Sequence, residues 1–258
     1  MSENWKIWDD NYEYGLNFYK RSIGEKDEME SSKASAKVIN SIINDNDLVL
    51  DVGCGTGHYL VSIDKQVSRK FSYHGVDATK SYIELAEKAF SDSSSSFRDK
   101  PKFSVEDIFN ISIKDNYADI VCCNNVLLHL PSIKKPMEEL WRVTKKFLVI
   151  RTLIGTESVR VKFVEEEGGF DNSGEPNKFN YHNIYSQNYL NQIISKFENV
   201  KDVKYFLDED FDKDMLGSQN FENDYSEHYK KFVTKVVNGM QVASYLIQPW
   251  SFLIIEKQ

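Results

Sequence analysis

The sequence predicts an α/β fold: a parallel, doubly wound sheet with helices on both faces. Three observations carry this. Short apolar runs of strand length alternate with segments of helical periodicity. The first run, "VLDVGCGTGHYL" from Val49 to Leu60, passes through a glycine-rich turn into a helix. At 258 residues the chain is long enough to bury one large core.

The elements follow in order. Residues 1–24 crowd the aromatics Trp5, Trp8, Tyr12, Tyr14, Phe18 and Tyr19 without clean periodicity. They are expected to form an arm that closes over the site, the plainer alternative being a helix packed on the core. In "EKDEMESSKASAKVINSII", Met29, Ala36, Ile39 and Ile43 fall roughly on one side of a helix. "DNDLVLDV" is a buried strand, and a helix starts at about His58. The strand "KFSYHGVD" ends at Asp77, and the helix "TKSYIELAEKAFS" follows, capped by Thr79 or Ser81. "DSSSSFRDK" is a loop. Strands recur at "KFSVED", "ADIVCCNN" and "KKFLVIRTL", the last two separated by a helix around "KKPMEELWRVT".

Beyond Leu153 the alternation breaks into a polar, aromatic-spotted insertion at 154–185. A helix "SQNYLNQIISKF" and a strand "VKDVKYFL" restore it, and a second insertion, 208–240, precedes the final strand "WSFLIIEK". The expected organisation is one domain over 1–258. Residues 1–46 form its arm and first helix and 47–153 its core. Residues 154–185 and 208–240 are insertions, and 186–207 with 241–258 complete the sheet.

Composition narrows the function. The chain is 41% hydrophobic and 28% charged, as in ordinary globular proteins. A formal net charge of -8 argues against a nucleic-acid partner, which needs a basic field. No apolar run reaches membrane-spanning length, and the first residues lack the pattern of a signal peptide. Cys54, Cys122 and Cys123 make no disulfide framework, so a reduced, cytoplasmic setting is expected. The acidic run "LDEDFDKDM" reads as a solvated loop, and no metal centre is expected.

The glycine turn carries the most chemistry. Gly53, Gly55 and Gly57 follow a G-x-G-x-G spacing rather than the G-x-G-x-x-G of dinucleotide sites. Asp51, just upstream, would repel a pyrophosphate if aimed into the crevice, and would welcome a cation. S-adenosylmethionine, with an ammonium, a sulfonium and no phosphate, has the matching charges. Asp77, 20 residues after Gly57, can accept hydrogen bonds from both ribose hydroxyls. Glu106 and Asp107, ending the third strand, can receive the exocyclic amine of adenine.

With "DVGCGTG" as written and acids at three successive strand ends, the chain resembles the class I S-adenosylmethionine-dependent methyltransferases over roughly residues 45–155. The resemblance implies a three-layer Rossmann-like sandwich with a mostly parallel seven-stranded sheet in the order 3-2-1-4-5-7-6. It maps the glycine motif to Asp51–Gly57 (including Cys54), the ribose acid to Asp77 beside Ala78, and the adenine-contacting acid to Asp107 beside Ile108. "ADIVCCNNVLLHLP" matches the family's fourth strand, placing Asn124 and Asn125 beside the methionine portion and His129 at the mouth of the active site. Tyr19 and Arg21 on the arm join the expected cofactor set, and a homodimer is compatible with the resemblance.

Methyl transfer from a sulfonium mainly requires alignment of acceptor, methyl and sulfur. A hydroxyl acceptor also gains from a base, for which His129 leads and His182 is second. His58, His74 and His228 read as structural, and Cys122 and Cys123 as strand filling. Trp8, Tyr12, Asn180, Tyr181, Tyr185 and Arg151 are the expected acceptor-side residues. Asn177, His182 and Asn183 add planar polar groups to the same insertion. The sequence lacks the motifs of DNA amino- and cytosine-C5-methylating enzymes and of protein arginine methyltransferases. The expectation is therefore a small-molecule substrate: O-methylation of a sugar or nucleotide-linked surface-polysaccharide precursor, with N-methylation of a polar metabolite next. A non-catalytic cofactor-binding partner subunit and an aminopropyl transferase are the rivals.

Overall fold

The computed structural model describes residues 8, 11–91, 99–208, 233–237, 240–244 and 249–258. Trp5, His228, most of the "DSSSSFRDK" loop and the acidic run beyond Asp208 lie outside the described residues, as does most of the second insertion.

The first strand, β1 (Asp47–Val52), has apolar side chains on both of its faces because helices cover both. Val49 packs with Ile39 of α2 (Glu30–Ile42), with Ile43 just beyond it, and with Leu60 and Ile63 of α3 (His58–Gln66). Leu50 and Val52 face the opposite core, with Met137 and Leu140 of α5 (Lys134–Val143). Around β1 lie β2 (Phe71–Asp77), β3 (Lys102–Val105), β4 (Ala118–Asn124) and β5 (Thr144–Gly155), all parallel. After β6 (Lys162–Val164), β7 (Phe179–Tyr181) and β8 (Tyr185–Ser186) come β9 (Val200–Leu207), β10 (Val233–Val237), β11 (Met240–Ser244) and β12 (Trp250–Lys257).

The sheet order is β3-β2-β1-β4-β5-β12-β9, with β8 joined to the end of β5. β12 runs antiparallel to both of its neighbours. With β12 as the seventh strand and β9 as the sixth, this is the order expected from the resemblance. The order reverses between β1 and β4, so a crevice opens there at the carboxyl ends of the strands.

Some local expectations change. β3 stops at Val105, so Glu106 and Asp107 lie beyond the strand rather than in it. Thr79 is the N-cap of α4 (Lys80–Ala89) but makes no side-chain capping bond; its amide donates instead to Asp77 Oδ1 (2.9 Å). The first insertion contains more structure than a loop: β6 and β7 pair as an antiparallel ribbon. Ser186 caps α6 (Gln187–Ile194) through its hydroxyl, which accepts from the Tyr189 amide (3.1 Å).

The aromatic arm contains a helix, α1 (Tyr12–Ser22), N-capped by Asn11. It lies over the starts of α3 and α4. Tyr82 of α4 donates its hydroxyl to the Asn11 carbonyl (3.0 Å), and Ser22 Oγ donates to the Thr56 carbonyl (2.8 Å). Gly15 makes this approach possible, because a Cβ there would meet the Tyr82 ring at 2.4 Å. No helix among the described residues is long and apolar enough to cross a membrane.

Gly15→Ala overpacks the α1–α4 contact. A loss of about 1–3 kcal/mol is expected, the usual scale of overpacking, read as a lower urea midpoint with an unchanged m-value.

Candidate active site

The site is built outward from the glycine turn. Gly53, Gly55 and Gly57 hold φ of 82°, 55° and 78°, the left-handed region that side chains with a Cβ disfavour. The amides of Gly53 and Cys54 both donate to the Val76 carbonyl (2.7 and 3.0 Å), strapping the turn to the end of β2. A Cβ on Gly53 would lie 2.2 Å from Val126 Cγ2, and one on Gly57 would press on Phe90 and Phe103. The first two glycines border a cavity of about 400 Å³. Gly57 serves helix–sheet packing instead, and Cys54 is buried behind the turn with its thiol pushed up by burial.

The acids at the cavity are held by backbone. Asp77 accepts the Gly55 amide on Oδ2 and the Thr79 amide on Oδ1 (both 2.9 Å), which fixes its plane at the cavity wall. Glu106 binds the amide and hydroxyl of Ser112 (2.8 and 2.6 Å), closing the loop after β3. Asp107, exposed, accepts the Phe109 amide (2.9 Å). Ala78 and Ile108 complete this end of the cavity.

Asp51 is not among the residues that line the cavity: it is buried on the face of β1 that also carries Val49, where it accepts the Tyr73 hydroxyl (2.7 Å). Burial raises its pKa to about 6, which still leaves the carboxylate mostly ionised at pH 7.

At the other end, the 3₁₀ turn Leu127–His129 presents His129 to the cavity. His129 Nδ1 lies 2.9 Å from the Tyr181 carbonyl. A carbonyl only accepts, so Nδ1 carries the proton and Nε2 holds a lone pair. Burial lowers the His129 pKa to about 4, and the ring is neutral at pH 7. Its neighbours are Trp8, edge-on at 5.1 Å between centroids, and His182 at 6.1 Å. The fold thus brings together the two candidate bases, which are 53 positions apart in the chain.

The rest of the insertion supports this turn without lining the cavity. The Asn183 amide donates to the Leu128 carbonyl (2.9 Å), its side chain to that of Leu130 (2.9 Å), and the Tyr185 hydroxyl to that of Leu127 (2.9 Å). Asn180 lies in β7 outside the cavity lining, and the Tyr181 ring sits under Arg160. On α1, Tyr14 and Phe18 face the cavity, whereas Tyr12 is exposed and Tyr19 lies beneath Lys88. Arg21 is half-buried and donates to the Asp27 carbonyl. Arg151 is fully buried behind the wall.

Sequence reasoning missed several lining residues. His58, read as structural, borders the cavity; it stacks on Phe18 (4.3 Å, 4°), and burial lowers its pKa to about 3. Tyr59, Tyr82 and Trp250 also reach it. The i, i+4 spacing of Tyr14 and Phe18 was a usable signal once Asn11 is recognised as a helix cap.

A family model for the methyltransferase domain matches residues 43–209, and the chain belongs to that family. An uncharacterised methyltransferase of Schizosaccharomyces pombe is 28% identical over 137 residues, 52% of this chain and 48% of that one. The chain therefore spans about half the length of that relative. The fold is also that of the magnesium protoporphyrin IX methyltransferase of Synechocystis, solved with bound S-adenosylmethionine (13% identity, TM-score 0.53, covering 99% of this chain and 98% of that one). The YcgJ protein of Bacillus subtilis is similar (16% identity, TM-score 0.53, 88% and 98%).

The cofactor of the domain is S-adenosylmethionine, and the cavity fits it. Gly53 and Gly55 leave the space that Cβ atoms would fill, and Asp77 offers two backbone-anchored acceptors for a diol.

The depressed pKa of His129 sets a pH dependence. The unfolded chain takes up a proton at about 6.5, and the folded ring resists it until about 4. Its contribution to stability is complete above about 6.5 and is lost as pH falls toward 4. Asp51, raised to about 6, acts with the opposite sign, losing its contribution as pH rises from about 4 through 6. Urea titrations of wild type and His129→Gln at several pH values isolate the histidine: the variant is expected to lose less stability between pH 6.5 and 4.

Proposed function

We propose that the chain transfers a methyl group to a hydroxyl of a small molecule, with His129 as the base. The observation that carries this is a neutral imidazole on the cavity wall whose tautomer is fixed by the Tyr181 carbonyl. When bound, S-adenosylmethionine supplies a methyl group already activated by its sulfonium.

The chain's own residues hold and orient. Asp77 receives the ribose hydroxyls, Glu106 and Asp107 lie at the adenine end, and Asn124 and Asn125 lie toward the methionine portion. Phe18 and Tyr14 on α1 cover the cavity and exclude water. His129 Nε2 takes the proton of the acceptor hydroxyl, and His182 stands beside it as the second candidate. A ring so weakly basic suits a hydroxyl whose proton leaves late in the transfer.

The acceptor is a small hydroxylated molecule with a flat apolar face. A sugar or nucleotide-linked surface-polysaccharide precursor is the class we favour, since Trp8 and Trp250 supply the ring faces on which a sugar's C–H surface packs. Asn180, Tyr181 and Tyr185 contribute indirectly, by placing the turn that bears His129.

Calorimetry with S-adenosylmethionine, S-adenosylhomocysteine and NAD tests the cofactor end. Binding of the first two, abolished in Asp77→Ala, is expected, and binding of NAD alone overturns the reading. A panel of sugars and nucleotide sugars, assayed by S-adenosylhomocysteine release, tests the acceptor. With the accepted compound, His129→Gln is expected to lower kcat by about 10²–10⁴-fold, the range for loss of a general base, with cofactor affinity nearly unchanged.

A further inference from the structure

Arg151 lies in the middle of β5 with its side chain 1% exposed, and it does not line the cavity. Its partners do. Nη1 donates to Asn125 Oδ1 (2.5 Å), and the guanidinium stacks on the Trp250 ring (4.3 Å to the centroid). Nε and Nη2 both reach Asp208 Oδ2 (2.7 and 2.6 Å), whose side chain is equally buried. The bonding continues past Asn125, whose Nδ2 donates to the Tyr59 hydroxyl (3.0 Å), which donates to Ser31 Oγ (2.9 Å). Asp208 returns to the start of β12 through its amide, which donates to the Trp250 carbonyl (2.9 Å).

A buried ion pair is a weak source of stability, because each charge must first leave water. Its value here is geometric. Asn125 holds a left-handed φ of 58°, sparsely populated by residues other than glycine, and its backbone amide also donates to the Arg151 carbonyl (2.9 Å). A planar guanidinium with donors in a fixed fork can hold the Asn125 amide, the Asp208 carboxylate and the Trp250 face at once, and an ammonium cannot. Asn125, Tyr59 and Trp250 are three pieces of the cavity wall from three different elements.

We propose that Arg151 is the positioning residue of this site: it touches neither cofactor nor acceptor, and it locks Asn125 and Trp250 in the places where they meet them. The claim that this matters for ligand binding rests on the methyltransferase reading; the restraint on Asn125 does not.

The test uses the full chain. In Arg151→Met alone, Asp208 would be left as an unpaired buried charge and the fold is at risk. The double variant Arg151→Met/Asp208→Leu removes both charges and is expected to melt close to wild type. Hydrogen exchange without ligand should then rise about tenfold or more across residues 125–129 and stay unchanged in β1 and β2. S-adenosylmethionine affinity by calorimetry should fall about tenfold in the double variant, and Arg151→Lys should recover part of it. Unchanged exchange at 125–129 overturns the proposal, as does faster exchange there with wild-type affinity. Faster exchange in a chain whose wild type binds no S-adenosylmethionine upholds the restraint and sinks the methyltransferase reading instead.

Discussion

The cavity depends on one backbone constraint: three alternate residues, Gly53, Gly55 and Gly57, held left-handed at the end of β1 in a turn that the Gly53 and Cys54 amides tie to the Val76 carbonyl. That geometry puts the Gly55 amide where Asp77 must meet it, so the position of the candidate ribose acid is a property of the turn as much as of β2. It also fixes Thr56, to which Ser22 at the end of α1 is bonded. The covering helix and the acid are thereby both referenced to the same few atoms.

The groups around this turn follow a common electrostatic logic. Asp51, His58 and His129 are all displaced by burial toward their neutral forms. Three carboxylates, Asp77, Glu106 and Asp107, lie toward the other end, anchored by backbone or hydroxyl donors. The cavity is polarised along its length, with acids toward the expected nucleoside end and neutral aromatic and imidazole rings around His129.

Much of this was legible in the sequence. The strands of the parallel core, the glycine turn and the acids at the ends of β2 and β3 followed from periodicity and spacing, whereas the full strand order needed the family resemblance. What could not be read was facing. Asp51 is buried against Tyr73 and does not line the cavity, which the alternation of side chains along β1 settles only once it is known which face packs under α2 and α3. The aromatics of α1 divide between cavity and surface according to a helical phase that Asn11 sets. Arg151, Asn183 and Tyr185 were recognised as belonging near the site, but their side chains hold other residues and stand outside the cavity lining. Spacing along a chain carries no signal for such indirect roles, since Arg151 and Asp208 meet across 57 positions.

The bond between His129 Nδ1 and the Tyr181 carbonyl has an evolutionary consequence. Its acceptor is main chain, so replacing the tyrosine side chain leaves the proton on the same nitrogen. The tautomer is inherited through the path of the β7 ribbon rather than through the identity of any one amino acid. Related chains can drift freely at this position and keep the trait, and a column-by-column comparison of their letters would not reveal that it had been kept.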